Sequence, residues 1–148
     1  MKISTKGRYA LRLMLDVALA DSDRPVPLRD VAQRQEISEK YLEQIVTQLC
    51  RAGLVQSVRG AGGGYLLTRR PEEYTIGEIL RTLEGDLAPV NCHPDGACCE
   101  RADQCVTKEI WDRIQQAVND VVDHIYLNEL VDRYHAITKN CTCCHECK

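Results

Sequence analysis

The spacing of apolar residues changes character several times along this chain. From Ser4 to about Ala20, Ala10, Met14 and Val17 form one helical stripe and Leu11, Leu15 and Ala18 the next. That period predicts an amphipathic helix, with Ser4 or Thr5 as its cap. After the turn "DSDRPVP", the stretch "LRDVAQRQ" repeats the period with Leu28, Val31 and Ala32. Ser38 then has N-cap chemistry, because its hydroxyl accepts from unpaired backbone N–H groups. Ile37 and Leu42 bracket it as a hydrophobic staple. The third helix runs to about Ala52, with Leu42, Ile45, Val46 and Leu49 inward and Gly53 beyond its end.

At Leu54 the pattern shifts to alternation. "LVQSV" and "YLLT" read as two short strands, and "RGAGGG" between them makes a hairpin with a flexible tip. Thr75 and Glu78 match a capping box that opens a helix carrying Ile76, Ile79, Leu80 and Leu83, which Gly85 ends. Val106 and Trp111 flank Thr107 as a second staple. A long helix follows to about Tyr126, with Ile110, Ile114, Ala117 or Val118, Val121 and Ile125 in register. "NELVDRY" adds a short further turn of helix, and "HAITKNCTCCHECK" has no apolar period, as a flexible tail would. The chain divides into residues 1–85, a cysteine-rich loop at 86–106, the long and short helices at 107–134, and the tail at 135–148.

Three helices followed by a hairpin give a mainly α chain with a small β-hairpin wing, the plan of a winged helix-turn-helix. Charge sharpens that picture. Through Pro71, Lys and Arg outnumber Asp and Glu by 12 to 7; beyond it they are outnumbered 7 to 15. A basic half suits a polyanion, and the acidic half has some other task. The third helix would enter a DNA major groove and offers Ser38, Lys40, Tyr41, Glu43 and Gln44 in its first turns. A Glu accepts from the cytosine amino group and a Gln pairs with adenine. Arg59 stands at the entrance to the wing, where a guanidinium can enter a narrow, electronegative minor groove. Gly60, Gly62, Gly63 and Gly64 let backbone approach the sugar–phosphate rail. "RGAGGG" is not a phosphate-cradling nucleotide loop, because it lacks the Gly-Lys-Ser/Thr ending and opens no helix.

Nine cysteines in 148 residues raise a separate question. An odd count argues against a disulfide framework. The amino-terminal stretch carries Arg8, Arg12 and Asp16 within its apolar run and reads as a helix rather than an export signal. No apolar run reaches the roughly 20 residues that span a bilayer. The expected location is therefore the cytoplasm, where thiols stay reduced. Cys92, Cys98, Cys99 and Cys105 lie between two helices, with six residues between Cys92 and Cys99 and five between Cys99 and Cys105. Zinc knuckles use shorter paired gaps, whereas iron–sulfur clusters are held by thiolates and span wider ones. Free thiols on a loose loop are the plain alternative. Cys50 reads as a packing residue. Cys141, Cys143, Cys144, His145 and Cys147 are soft donors, read as a metal-attracting tail without a second functional site.

The segments "STKGRYALRLMLDVALA", "ISEKYLEQ", "GLVQSVRGAGGGYLL" and "CERADQCVTKEIW" resemble the iron–sulfur cluster regulators of the IscR type, bacterial winged-helix transcription factors, over roughly residues 1–134. The resemblance implies cluster ligands at Cys92, Cys99 and Cys105, base contacts from Glu43 and Gln44, and a minor-groove Arg59. It also implies a homodimer whose long helix from Thr107 to Tyr126 crosses its partner. The family's histidine ligand, three residues after the last cysteine, is replaced here by Lys108, and the acidic ligand of nitric-oxide-sensing members by Arg8. The fourth ligand stays open among Cys98, His93, a tail thiol and a residue of the partner subunit. A 2Fe–2S cluster is favoured, with 4Fe–4S as the alternative.

The expected function is a DNA-binding transcriptional regulator, a repressor on palindromic double-stranded operator DNA, whose affinity follows its iron–sulfur cluster and so iron, redox or nitric oxide status. The alternatives are a regulator of the same fold that lacks a cluster and answers a metabolic partner or zinc, and a metal carrier that uses the fold for protein contact. The four histidines, at positions 93, 124, 135 and 145, belong to no nucleophile–base–acid set, so no enzyme is expected.

Overall fold

The computed structural model describes residues 3–20, 23–90 and 104–142. Helix α1 spans Thr5–Ala18, α2 Leu28–Gln35 and α3 Glu39–Arg51. Strands β1 (Val55–Val58) and β2 (Gly64–Leu67) follow. A single 3₁₀ turn at Pro71–Glu73 leads into α4 (Ile76–Glu84), and α5 (Lys108–Asp123) and α6 (Leu127–Thr142) complete the described elements. Helices α1 to α3 with the hairpin form the expected winged helix-turn-helix.

The caps explain where the first helices start. The Ser4 hydroxyl accepts from the backbone N–H of Lys6 and Gly7. Glu84, at the end of α4, adds its carboxylate there, accepting from the Gly7 N–H at 2.9 Å and from the Ser4 hydroxyl. A negative charge at a helix amino terminus opposes the positive end of the helix dipole. Helix α2 stops at Glu36, which turns left-handed at φ 54°, and Ser38 reopens the chain as the cap of α3 by accepting from the Tyr41 N–H. Ile37 and Leu42 are both buried in one core, as a staple requires. Gly53 beyond α3 has φ 72°, and Gly85 caps α4 at φ 77°.

The strands pair antiparallel, with Val55 opposite Leu67 and Val58 opposite Gly64. An isolated bridge between Val26 and Tyr65 ties the wing to the loop before α2. There Gly64 is required by packing: a Cβ on it would lie 2.4 Å from the Val26 carbonyl. Tyr74 fixes the base of the wing. It is fully buried, its hydroxyl donates to the Leu54 carbonyl at 2.8 Å and accepts from the N–H groups of Thr68 and Arg69, and the Arg69 guanidinium lies 4.4 Å from its ring centre. Tyr74→Phe removes one partner from each of those three backbone groups, although Thr68 still donates to the Leu54 carbonyl. It should lower unfolding free energy by about 1–3 kcal/mol, read by urea denaturation.

The main core gathers Leu13 and Met14 of α1, Val31 of α2, the inner face of α3, Leu54, Val55 and Tyr74. Leu127, the first residue of α6, is fully buried among them, so the carboxy-terminal helix is anchored in the DNA-binding unit. Val118, Val122 and Ile125 cover Ile76, Leu80 and Leu87 in a second cluster. Arg81 of α4 clamps α5 by donating to Asp123 at 2.6 and 2.9 Å and to Asn119 at 2.7 Å.

Three local expectations are corrected. The Glu78 side chain leaves the capping box and pairs with Arg69 at 2.6 Å, so only the Thr75 half of the box forms. Val106 is 91% exposed and makes no staple, and the Thr107 side chain does not cap α5. Helix α5 ends at Asp123, and α6 continues to Thr142 through residues read from their pattern as tail. Among the described residues no helix is long and apolar enough to cross a membrane.

Candidate nucleic-acid interface and metal centre

Helix α3 divides cleanly. Leu42, Ile45, Val46 and Leu49 are buried, while Lys40, Glu43, Gln44, Thr47 and Arg51 are exposed. The buried stripe holds the helix against the core and leaves a polar ridge outside, the form in which a helix enters a major groove. Ser38 is spent largely on capping, so its hydroxyl serves the first turn of the helix. Tyr41 is half-buried and meets the ring of Tyr9 edge-on, with centroids 5.8 Å apart. Thr47 shares the ridge with Glu43 and Gln44, and its hydroxyl donates to the Glu43 carbonyl at 2.6 Å. Thr47 was not predicted from the sequence, although its four-residue step from Glu43 places it on the same face.

At the wing, Arg59 is exposed at the end of β1. Gly60 has φ 115°, a backbone conformation that L side chains rarely adopt. Gly63, like Gly64, is demanded internally, since its Cβ would meet the Val58 carbonyl at 2.4 Å. Gly62 differs: it has no atom within 4 Å of a Cβ position. Of the four glycines read as DNA-facing, Gly62 is therefore the one with neither a tight neighbour nor positive φ.

Of the proposed cluster ligands, Cys105 alone lies within the described residues; Cys92 and Cys99, and the candidates Cys98 and His93, lie outside them. Among the described residues no group of three or more His, Cys, Asp or Glu side chains could hold a metal ion. Cys105 is half-exposed, just ahead of α5, with its Sγ 3.2 Å from the Thr107 hydroxyl. That hydroxyl, with the nearby backbone N–H groups and the Lys108 charge, holds the thiol below its ordinary pKa. A thiol biased toward thiolate is suited to ligate iron. Lys108 pairs with Asp112 at 3.0 Å, and Arg8 donates to the Thr5 hydroxyl. Cys50 packs against the main core, and burial raises its thiol, as expected of a packing residue. Cys143, Cys144, His145 and Cys147 lie outside the described residues.

Helix α5 has two apolar sides. Val118 and Val122, joined by Ile125 from the turn after the helix, face the second cluster. Ile110, Ile114 and Val121 remain 54%, 38% and 58% exposed. They share one side, because residues three, four and seven apart align on a helix.

Comparison with known proteins bears directly on this arrangement. A family model described as Rrf2, iron-dependent transcriptional regulator, matches residues 3–133. The HTH-type transcriptional regulator CymR of Bacillus subtilis is 44% identical over 130 residues, 88% of this chain and 89% of that protein. The solved structure of CymR, the global cysteine regulator of B. subtilis, superposes with a TM-score of 0.75 over 90% of this chain and 98% of that one. The HTH-type transcriptional regulator IscR of Aliivibrio salmonicida is 41% identical over 131 residues, 88% of this chain and 77% of that protein. The structure of T. potens IscR is 39% identical with a TM-score of 0.73, over 90% of this chain and 88% of that one. These relatives are regulators of transcription, not enzymes. With a helix-turn-helix core, an exposed recognition ridge and a family match over almost its whole length, the chain belongs to the Rrf2 family of transcriptional regulators.

Proposed function

We propose that the chain is a homodimeric repressor of operator DNA whose affinity is set by an iron–sulfur cluster held by Cys92, Cys99 and Cys105. The observation that carries this reading is the placement of Cys105. A thiolate-prone ligand stands directly before α5, the helix that carries an uncovered apolar stripe on one side and is clamped to α4 by Arg81 on the other. A ligand that needs the cysteine loop in one conformation shifts the protein toward that conformation by its differential affinity. Through Cys105 that shift acts on the first turn of α5. When bound, the cluster supplies a centre that reacts with oxidants and nitric oxide. Cys92, Cys99 and Cys105 supply thiolates, and the fourth ligand is drawn from Cys98, His93, a tail thiol or a residue of the partner subunit. Lys108 is engaged with Asp112 and is not among them. The cluster is of the 2Fe–2S type, with 4Fe–4S as the alternative.

On the DNA, Glu43 and Gln44 read base edges, Lys40 and Tyr41 meet the backbone, and Arg59 enters the minor groove beside Gly60 and Gly62. Ser38 holds the first turn of α3 in place. Arg59→Ala should weaken binding by about 1–3 kcal/mol to a duplex that the wild-type protein selects from a randomised library, measured by fluorescence anisotropy. Equal affinity would dismiss the wing contact. A second reading rests on the 44% identity to CymR: a cluster-free regulator that answers a metabolic partner. Anaerobically purified protein without iron and sulfide would favour it.

A further inference from the structure

The guanidinium of Arg12, on the exposed side of α1, ties α1 to the end of α2 and reaches α3 through the ring of Tyr9. Its Nε donates to the Gln35 side-chain oxygen at 2.8 Å, and its Nη2 donates to the Gln35 backbone carbonyl at 2.6 Å. Gln35 is the last residue of α2, where the final carbonyls have no partner within the helix and a cation is favoured. The same guanidinium lies 5.4 Å from the Tyr9 ring centre, and Tyr9 meets Tyr41 edge-on at an interplanar angle of 85°. Tyr41 is in the first turn of α3. The other end of Gln35 is held as well: its amide donates to Asp16, a 6% exposed carboxylate that also takes Arg34. A chain of contacts thus runs from Asp16 through Gln35, Arg12 and Tyr9 to Tyr41.

We propose that Arg12 is a positioning residue for DNA recognition: by bracing the end of α2 and the ring of Tyr9, it holds Tyr41 at the front of the recognition helix. The inference rests on the reading of α3 as the groove-entering helix. Arg12 is assigned no phosphate contact: its Nε and Nη2 are turned to Gln35, and because a guanidinium has further N–H donors, the salt titration below tests this point. It acts through Tyr41, so its effect on DNA depends on Tyr41 being present.

The test compares wild type, Arg12→Ala, Arg12→Lys, Tyr41→Ala and the Arg12→Ala/Tyr41→Ala double variant by anisotropy. The probe is the library-selected duplex, titrated across a range of salt concentrations. Arg12→Ala should bind about tenfold more weakly. The dependence on salt should be unchanged, because no phosphate contact is lost. In the Tyr41→Ala background the same substitution should cost almost nothing. Arg12→Lys, which keeps a cation over Tyr9 but loses the two-pronged grip on Gln35, should fall between. Should Arg12→Ala fail to fold, as judged by its melting curve, Arg12→Lys in the two backgrounds carries the same comparison. Unchanged affinity, an undiminished loss without Tyr41, or a salt slope lower by about one would each overturn the proposal. Failure of the wild-type protein to select any duplex would instead overturn the reading of α3.

Discussion

Aspartate at both Ile114 and Val121 is expected to turn the proposed dimer into a monomer and to weaken binding to a two-half-site operator by about 10²- to 10⁴-fold. The reason lies in how α5 is packed. Its inward side is satisfied within the chain by Val118 and Val122, with Ile125 just beyond its end, whereas Ile110, Ile114 and Val121 stay uncovered. Covering such a stripe with a second copy of itself gains about 25 cal/mol for each Å² of apolar surface removed from water. Carboxylates placed there face their own symmetry mates and carry a heavy desolvation cost. Because neither side chain contributes to a core within the chain, the monomer should keep its helical content. A dimer joins two recognition helices, and the second half-site is then bound at high effective concentration, an advantage that a monomer lacks. Analytical ultracentrifugation gives the assembly state and anisotropy the affinity. A variant that stays dimeric would remove this stripe from the interface.

The second large effect concerns Cys105. Cys105→Ala should leave anaerobically purified protein colourless, with iron and sulfide absent, at almost unchanged melting temperature. The thiol is half-exposed and touches Thr107 rather than any core side chain, so little packing is lost. Cys50→Ala is the contrasting variant. It removes a thiol from the edge of the main core and should retain full colour with a modest loss of stability. Colour that survives Cys105→Ala would exclude Cys105 from the ligand set.

The reason the first four helices were legible in the sequence, and α6 was not, is burial. In α1 to α4 each apolar stripe meets a partner within the chain, and each start carries a side chain or turn suited to capping. Period and caps then agree, which is the condition for reading structure from pattern. Helix α6 is seated mainly by Leu127 and Leu130, and Tyr134 and Ile137 beyond them are exposed, so its second half has no stripe to read. Glu78 illustrates competition. Its spacing from Thr75 is right for a capping box, but Arg69 offers an opposite charge that no local pattern reveals. The wing glycines were legible as a group but not individually: Gly63 and Gly64 answer to the protein's own backbone at Val58 and Val26. For the candidate site, the outward residues of α3 follow from helical period, which turns Gln44 away from Leu42 and Leu49 and sets Glu43 and Thr47 beside it. The brace by Arg12 does not follow from it, because Gln35 is 23 residues away and meets Arg12 only once α1 and α2 have packed.

One measurement bears most directly on control of DNA binding by the sulfur ligands. A single oxygen-free preparation is divided, one half stripped of iron and the other reconstituted, and both are titrated with the selected duplex. The expected result is coloured, iron- and sulfide-containing protein whose affinity differs from that of the stripped half by about tenfold or more. Protein that takes up no iron and sulfide, or that binds the duplex equally well in both halves, would contradict the account.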